Sequence, residues 1–253
     1  VAGAALATIL AQLVSVVMSL AIIKKQQFPF HFSKKDICFS SEIRNFLKVG
    51  FPIALQEFLT NISFLILCAI INGMGLEASS GYGIAQKGVS FIMLIPSSLM
   101  QSMSAFVAQN VGAGKEDRAR KAMRTGMLLG VTIGIFVSAL SFFRGDIPSA
   151  LFTGNQAFIA RSAEYLKGFA PEAILTCLVF SYIGYFNGHG KTIPVMVQGI
   201  SASFLVRVPL SYLFSIQKGA TLTTIGYAVP LASVYGIIFF TICYLVFLRK
   251  MKK

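Results

Sequence analysis

Two carboxylates fall inside otherwise apolar stretches: Glu57, in Gly50-Phe-Pro-Ile-Ala-Leu-Gln-Glu57, and Glu172, in Phe169-Ala-Pro-Glu-Ala173. Ionisable residues within a membrane are costly, so each is a functional candidate. A proline inside a helix, here Pro52 and Pro171, removes a backbone bond and opens a place for water or a polar side chain. A carboxylate beside such a kink, partly withdrawn from water, can cycle between charged and neutral forms, as a proton-coupled carrier requires. A Na⁺ carrier would use the same group as a hard oxygen ligand. The plainer role is also open: both acids lie early in their segments and could stabilise a helix N-terminus from interfacial water. Arg207, in Phe204-Leu-Val-Arg-Val-Pro-Leu210, is the most deeply placed cation, suited to a structural pairing with a carboxylate or backbone carbonyls. Gln56, Asn61, Asn72, Gln101 and Gln198 suit hydrogen bonds between helices. The alternative, lining a substrate cavity, is open to Gln56, Asn61, Asn72, Gln198 and Tyr182.

The elements that must position these groups follow from composition. Of 253 residues, 55% are hydrophobic and 12% charged, against about 25% charged in an average soluble domain. The charges cluster, leaving apolar stretches that match the roughly 20 residues a helix needs to cross a bilayer. The chain reads as all-α and polytopic, with about seven transmembrane helices near 1–23, 45–72, 82–109, 121–143, 163–187, 193–215 and 223–248. Lys24 to Arg44 is the longest polar stretch, and a linker over 24–44 is expected there. Ser40-Ser41-Glu42 offers an N-cap and a first-turn acid to the next helix. Lys24-Lys25 directly follow the first segment, as in a stop-transfer sequence, and no basic region precedes it as in a signal peptide. The chain opens on Val1 inside an apolar run, so a fragment lacking an N-terminal part is expected.

Lysine and arginine mark the cytoplasmic side. Sixteen of them, from Lys24 through the 115–124 cluster and Lys191 to Lys253, flank one side. Four, Arg144, Arg161, Lys167 and Lys218, flank the other. The linker and C-terminus are therefore expected in the cytoplasm, in a plasma-membrane protein. The net charge of +13 is explained by this asymmetry rather than by nucleic acid, since no basic segment forms a module of its own. Cys68, Cys177 and Cys243 lie in apolar spans and Cys38 in a loop, with no C-x-x-C pair, so neither disulfides nor a metal site is indicated. A retinal protein needs a lysine within its last helix, and 223–248 has none. His31 and His189 lie in loops far apart, which leaves a membrane enzyme without a catalytic or metal-ligand cluster.

The segment Ala108-Gln-Asn-Val-Gly-Ala-Gly-Lys-Glu-Asp-Arg-Ala-Arg-Lys121 has the residues of a helix–turn–helix link. Gly112 and Gly114 can end one helix, Asp117 can cap the next, and the basic first turns that follow suit lipid headgroups. Gln109-Asn110-Val111-Gly112-Ala113-Gly114-Lys115 with Arg118 resembles the Q-N-x-G-A-G-x-x-x-R loop of multidrug and toxic compound extrusion (MATE) transporters. Four further pieces resemble the same family in order. Gly50 to Gln56 is similar to the start of its seventh helix, and Asn72-Gly-Met-Gly75 to that helix's end. Gly188-His-Gly-Lys-Thr192 is similar to the turn after the tenth helix, and Arg207-Val-Pro209 with Tyr212 to the eleventh.

The resemblance implies two six-helix bundles and alternating access. Residues 1–23 would be the last helix of an N-terminal bundle that is missing here, 24–44 a cytoplasmic linker, and 45–253 the C-terminal bundle. It implies export of small organic, often cationic, compounds by antiport with Na⁺ or H⁺, without a cofactor, and no transport by this portion alone. In the NorM-like branch the acids of the seventh and tenth helices fall near Thr60 and near Thr176 or Cys177, where this chain has no carboxylate. Glu57 and Glu172 are candidates from burial and position instead. Pro52, Pro171, Gln109, Asn110, Gly112, Gly114 and Arg207 are assigned structural roles. The rival readings are a lipid-linked oligosaccharide flippase, which calls for a more cationic cavity, and a non-transporting scaffold.

Overall fold

The computed structural model describes residues 2–25 and 41–251. Of the linker expected over 24–44, residues 26–40, with His31, Cys38 and the Ser40 cap, lie outside the described residues, while Lys24 and Lys25 end one helix and residues 41–44 begin the next. The chain separates into two compact units, residues 1–44 and 45–253. The first contains helix α1, Ala2–Lys25, whose leucines, isoleucines and valines stand exposed around much of its surface.

The second unit is an all-helical bundle. Its elements are α2 (Ser41–Asn72), α3 (Leu76–Gly112), α4 (Glu116–Phe143), short α5 (Asp146–Ala150), α6 (Gln156–Phe169) and α7 (Glu172–Gly188). After them come α8 (Thr192–Ser201), a π-helical segment (Ala202–Arg207), α9 (Val208–Ser215), short α10 (Leu222–Gly226) and α11 (Ala228–Met251). Among the described residues five stretches are long and apolar enough to cross a membrane, and α6 with α7 adds a sixth, bent by 49°. Exposed leucines, isoleucines and phenylalanines on α2, α3, α4 and α11 form the surface that such helices turn to lipid.

Two departures from regular helix shape the interior. The expected span 163–187 is two helices meeting at Ala170-Pro171, because the proline ring cannot continue the backbone ladder. The expected span 193–215 widens into a π turn just before Pro209. There the N–H of Val208 reaches the Ser203 carbonyl, five residues back, so one extra residue is accommodated and Arg207 is re-aimed. Helices also begin earlier than expected, α3 at Leu76 and α4 at Glu116, because their first turns are polar and lie outside the apolar stretches.

α7 is the central helix, packed against α3, α4 and α11. A Cβ at Gly184 would meet the Met100 carbonyl oxygen at 2.7 Å, and one at Gly134 would meet that of Ala173 at 2.7 Å. At both points the helices touch backbone to backbone, the small-residue packing that membrane helices use in place of a hydrophobic driving force. Leu67, Ile71, Tyr82, Tyr165, Phe169 and Ile225 fill one end of the interior. Met103, Val107, Met123 and Tyr185 fill the other, with Val179, Phe186 and Phe240 beside them.

The two loops singled out in the sequence have one geometry. After α3, Gly114 takes φ +70°, Gly114 N–H reaches Val111 O and Lys115 N–H reaches Asn110 O at 2.7 Å. After α7, Gly190 takes φ +66°, Gly190 N–H reaches Asn187 O and Lys191 N–H reaches Phe186 O at 2.9 Å. Both are Schellman stops, which need a glycine at the left-handed position. Asp117 is not the expected cap: α4 starts one residue before it, at Glu116, and Asp117 pairs with Arg120 at 2.9 Å.

Candidate functional site

A cavity of about 440 Å³ lies within the bundle, walled by α2, α3, α7, α8, the π segment and α11. It brings together Glu57 and Glu172 with Gln56, Asn61 and Gln198, and adds Arg207. Asn72 and Tyr182 do not line it. Asn72, at the end of α2, accepts a 2.6 Å hydrogen bond from the Ser79 hydroxyl and ties that end to α3. Tyr182 faces α11, stacked on Phe240 with its hydroxyl 3.2 Å from that of Thr241.

Glu172 is 5% exposed and sits in the first turn after the α6–α7 bend. Its Oε1 accepts hydrogen bonds from the hydroxyls of Thr176, at 2.5 Å, and Ser233, at 2.7 Å. Thr176 is one turn further along the same face of α7, while Ser233 comes from α11. Its Oε2 has no partner among the described residues. Glu57 stands apart in character: it lines the cavity but is exposed. The Asn61 side chain donates to the Glu57 backbone carbonyl and so belongs to the same turn of α2.

Arg207 was expected to pair with a carboxylate or backbone carbonyls. Instead its Nη1 donates to the Ser63 hydroxyl at 2.9 Å, and its guanidinium lies 4.3 Å from the centre of the Phe64 ring. The π segment turns it toward α2 in this way, and Ser63 in turn donates to the Thr60 carbonyl. Stacking on a ring face suits guanidinium, which is more weakly hydrated than ammonium. Gln198 and Gln56 are held by packing as much as by polarity. Cβ atoms at Gly236 and Gly199 would stand 2.5 and 2.4 Å from their side chains, so the two glutamines occupy sockets left by glycine.

Thr60 and Thr176, where the family's acids would fall, both line this cavity, and Asn187 and Ser233 join them without having been singled out in the sequence. Thr176 carried a readable signal, a hydroxyl four residues after Glu172 on the same helical face. Ser233 carried none, since it lies 61 residues away. A second polar cluster was also missed. Glu116 accepts from the Tyr185 hydroxyl at 2.8 Å and lies 3.1 Å from His189 Nε2, joining the α3–α4 link to the end of α7. Among the described residues no group of three or more His, Cys, Asp and Glu side chains could hold a metal ion.

The family model that matches this chain is MatE, over residues 52–213. The sequence is 23% identical over 254 aligned positions to the probable multidrug resistance protein YoeA of Bacillus subtilis (strain 168), covering 92% of this chain and 53% of that protein. It is 25% identical over 215 positions to the probable multidrug resistance protein NorM of Thermotoga maritima, covering 84% of this chain and 46% of that protein. The chain thus spans about half the length of the curated relatives it matches. The fold matches a MATE crystal structure in the straight conformation, with TM-score 0.77 and 19% identity over 99% of this chain and 57% of that one. It also matches a MOP superfamily transporter from Pyrococcus furiosus, described as having a binding pocket of reverse polarity. There the TM-score is 0.72 with 16% identity, over 78% of this chain and 43% of that one.

Proposed function

The chain belongs to the MatE family of multi-pass membrane transporters, and on that premise we propose that it forms one wall of a secondary active exporter of organic, often cationic, compounds. Export is driven by antiport with Na⁺ or H⁺. Residues 45–253 are the C-terminal bundle, 24–44 the linker and 1–23 the last helix of the bundle before it, with the linker and C-terminus in the cytoplasm.

One observation carries this reading: a carboxylate almost wholly buried in the bundle, with one oxygen clamped and the other unpartnered, on a cavity large enough for a small molecule. Buried charge of this kind is tolerated where it is used. An antiporter needs such a group, because one site must be neutralised alternately by the coupling ion and by the exported compound. Glu57 supplies a second acid to the lining of the same cavity. A flippase for lipid-linked oligosaccharides is less well supported, since Arg207 is the one cation among the lining residues against two acids.

In membrane vesicles containing the full-length transporter of which this chain forms one wall, dye efflux should follow an imposed Na⁺ or pH gradient, whereas residues 1–253 alone should give none. Efflux indifferent to both would remove antiport. Glu172→Gln should abolish coupled efflux while leaving the amount of folded protein unchanged. Undiminished transport by that variant would take Glu172 out of the mechanism.

A further inference from the structure

A second groove, of about 550 Å³, shares no lining residue with the central cavity. Asn45, Lys48 and Val49 of α2 form one side of it. Gly190 to Pro194, the α7–α8 turn and the first turn of α8, form the other. The lining holds two lysines and no acid. The acids of the α3–α4 link at this end are engaged elsewhere: Glu116 holds Tyr185 and His189, and Asp117 pairs with Arg120. Lys48 and Lys191 are exposed, and neither meets an acid among the described residues.

Two further features call for an anion here. The Schellman turn before α8 uses the Lys191 N–H, which donates to Phe186 O. The N–H groups of Thr192 and Ile193 then open the helix without an intrahelical acceptor. No acid lies in that first turn and no side chain caps it, so it attracts negative charge. Independently, Thr192 is 2% exposed, yet its hydroxyl has no hydrogen-bond partner among the described residues. That hydroxyl is not among the fully enclosed unpartnered atoms either. The little surface that Thr192 keeps, in the groove wall, therefore includes it. A side chain this buried seldom leaves its hydroxyl unpaired.

The groove is not only polar. Val49, Ile193 and Pro194 line it, and Val197 continues the Ile193 face one turn further along α8. Ile193 and Val197 are both exposed, so an apolar strip leads away from the cationic end. A free phosphate would use the lysines and leave this strip bare, whereas a phospholipid uses both.

We propose that the groove is a binding site for one acidic phospholipid. Its phosphate is held by Lys48, Lys191, the Thr192 hydroxyl and the α8 N-terminus, and an acyl chain lies on Ile193 and Val197. Basic pockets between membrane helices select acidic headgroups in this way. The bound lipid ties the start of α2 to the α7–α8 turn, and on the proposed orientation it belongs to the cytoplasmic leaflet. The site goes beyond the exporter reading and does not depend on it.

The test uses the full-length transporter in a neutral detergent, titrated with dioleoylphosphatidylglycerol or dioleoylphosphatidylcholine, with bound lipid counted by native mass spectrometry. One phosphatidylglycerol should be held roughly tenfold or more tightly than phosphatidylcholine and should raise the unfolding midpoint. Lys48→Gln combined with Lys191→Gln should lose that molecule, while Lys121→Gln, at the same end but outside the groove, should keep it. Thr192→Val should weaken it several-fold and leave the midpoint without acidic lipid unchanged or higher, because the lost hydroxyl has no partner within the protein. A midpoint that falls equally with and without the lipid would give that hydroxyl a structural role and overturn the inference. Equal affinity for the two lipids, or a preference unmoved by the lysine pair, overturns it as well. Glycerophosphoglycerol, the headgroup without chains, should compete roughly a hundredfold less well. Competition on a par with the lipid would make the ligand a soluble phosphate ester and overturn the lipid assignment. All these results are read without a gradient, so failure of antiport in vesicles would leave the lipid site standing, and the reverse.

Discussion

Arg207 is a buried cation met by a hydroxyl and a ring, and that arrangement makes Ser63 unusually important for a small residue. Ser63 is fully buried and gives Arg207 Nη1 its side-chain acceptor, while donating its own proton to Thr60 O. Ser63→Ala removes both bonds and leaves a charged donor facing apolar carbon, which costs about 1–3 kcal/mol. A fall in the thermal unfolding midpoint of the purified protein is expected, and an unchanged midpoint would show that Arg207 does not depend on this contact. The sequence disclosed the candidates at this scale but not their partners. Glu57, Glu172 and Arg207 stand out because charge inside an apolar run is conspicuous. Ser63 and Ser233 do not, since a serine in a membrane helix looks the same whether it bonds its own turn or a distant ion. The sequence also gave Glu57 and Glu172 similar prospects of burial, and only the packing separates the exposed acid from the clamped one.

Elements set how closely the walls of the cavity approach, and two glycines of α3 and α7 separate packing from propensity. At Gly184 an added methyl would meet the Met100 backbone oxygen at 2.7 Å, whereas at Gly83 nothing lies within 4 Å. Gly184→Ala is therefore expected to destabilise by about 1–3 kcal/mol through forced separation of α3 from α7. Gly83→Ala should be neutral or stabilising by up to about 1 kcal/mol, from helix propensity alone. Unfolding midpoints moving in the same direction would contradict this assignment of contacts. The cluster of Glu116, Tyr185 and His189 staples two Schellman turns that belong to different helix pairs. His189 Nδ1 sits 2.8 Å from the Tyr185 carbonyl, which can only accept, so Nδ1 bears a proton and points the ring's other nitrogen at Glu116. Tyr185→Phe removes one bond to Glu116 at little change in volume and should cost about 0.5–3 kcal/mol. Hydrogen exchange at Ala113 to Glu116 should quicken with it; exchange left unaltered would mean the staple does not hold the loop. Both turns were readable from their glycines. The staple was not, because it joins positions 73 residues apart. The bend at Pro171 and the π turn before Pro209 were only half legible: the prolines announce a break but not the direction in which it turns a side chain.

The two ends of the bundle differ in charge as the sequence requires, and the fold shows which loops share an end. Glu116 meets His189, and a groove joins Lys48 to Lys191, so the start of α2, the α3–α4 link and the α7–α8 turn lie together. Arg118, Arg120, Lys121 and Arg124 lie in the first turns beyond that link. At the other end Arg161 bridges Glu77 at 3.7 Å and Glu164 at 3.1 Å, Glu164 accepts from Leu222 N–H, and Lys87 lies over the Phe152 ring. That end also holds Asp146, whose carboxyl the Arg144 guanidinium keeps below the usual carboxylate range. The first end carries most of the lysines and arginines, and it is their number, rather than the net charge, that resists translocation. On the proposed orientation the first end faces the cytoplasm. Single cysteines at two exposed positions, Lys121→Cys and Lys218→Cys, in a background with Cys38, Cys68, Cys177 and Cys243 replaced, test this directly. In intact cells a membrane-impermeant maleimide should label the cysteine at 218 and leave the one at 121 untouched until the membrane is permeabilised. The opposite pattern would invert the orientation, and with it the side from which a compound reaches Glu172 and Arg207.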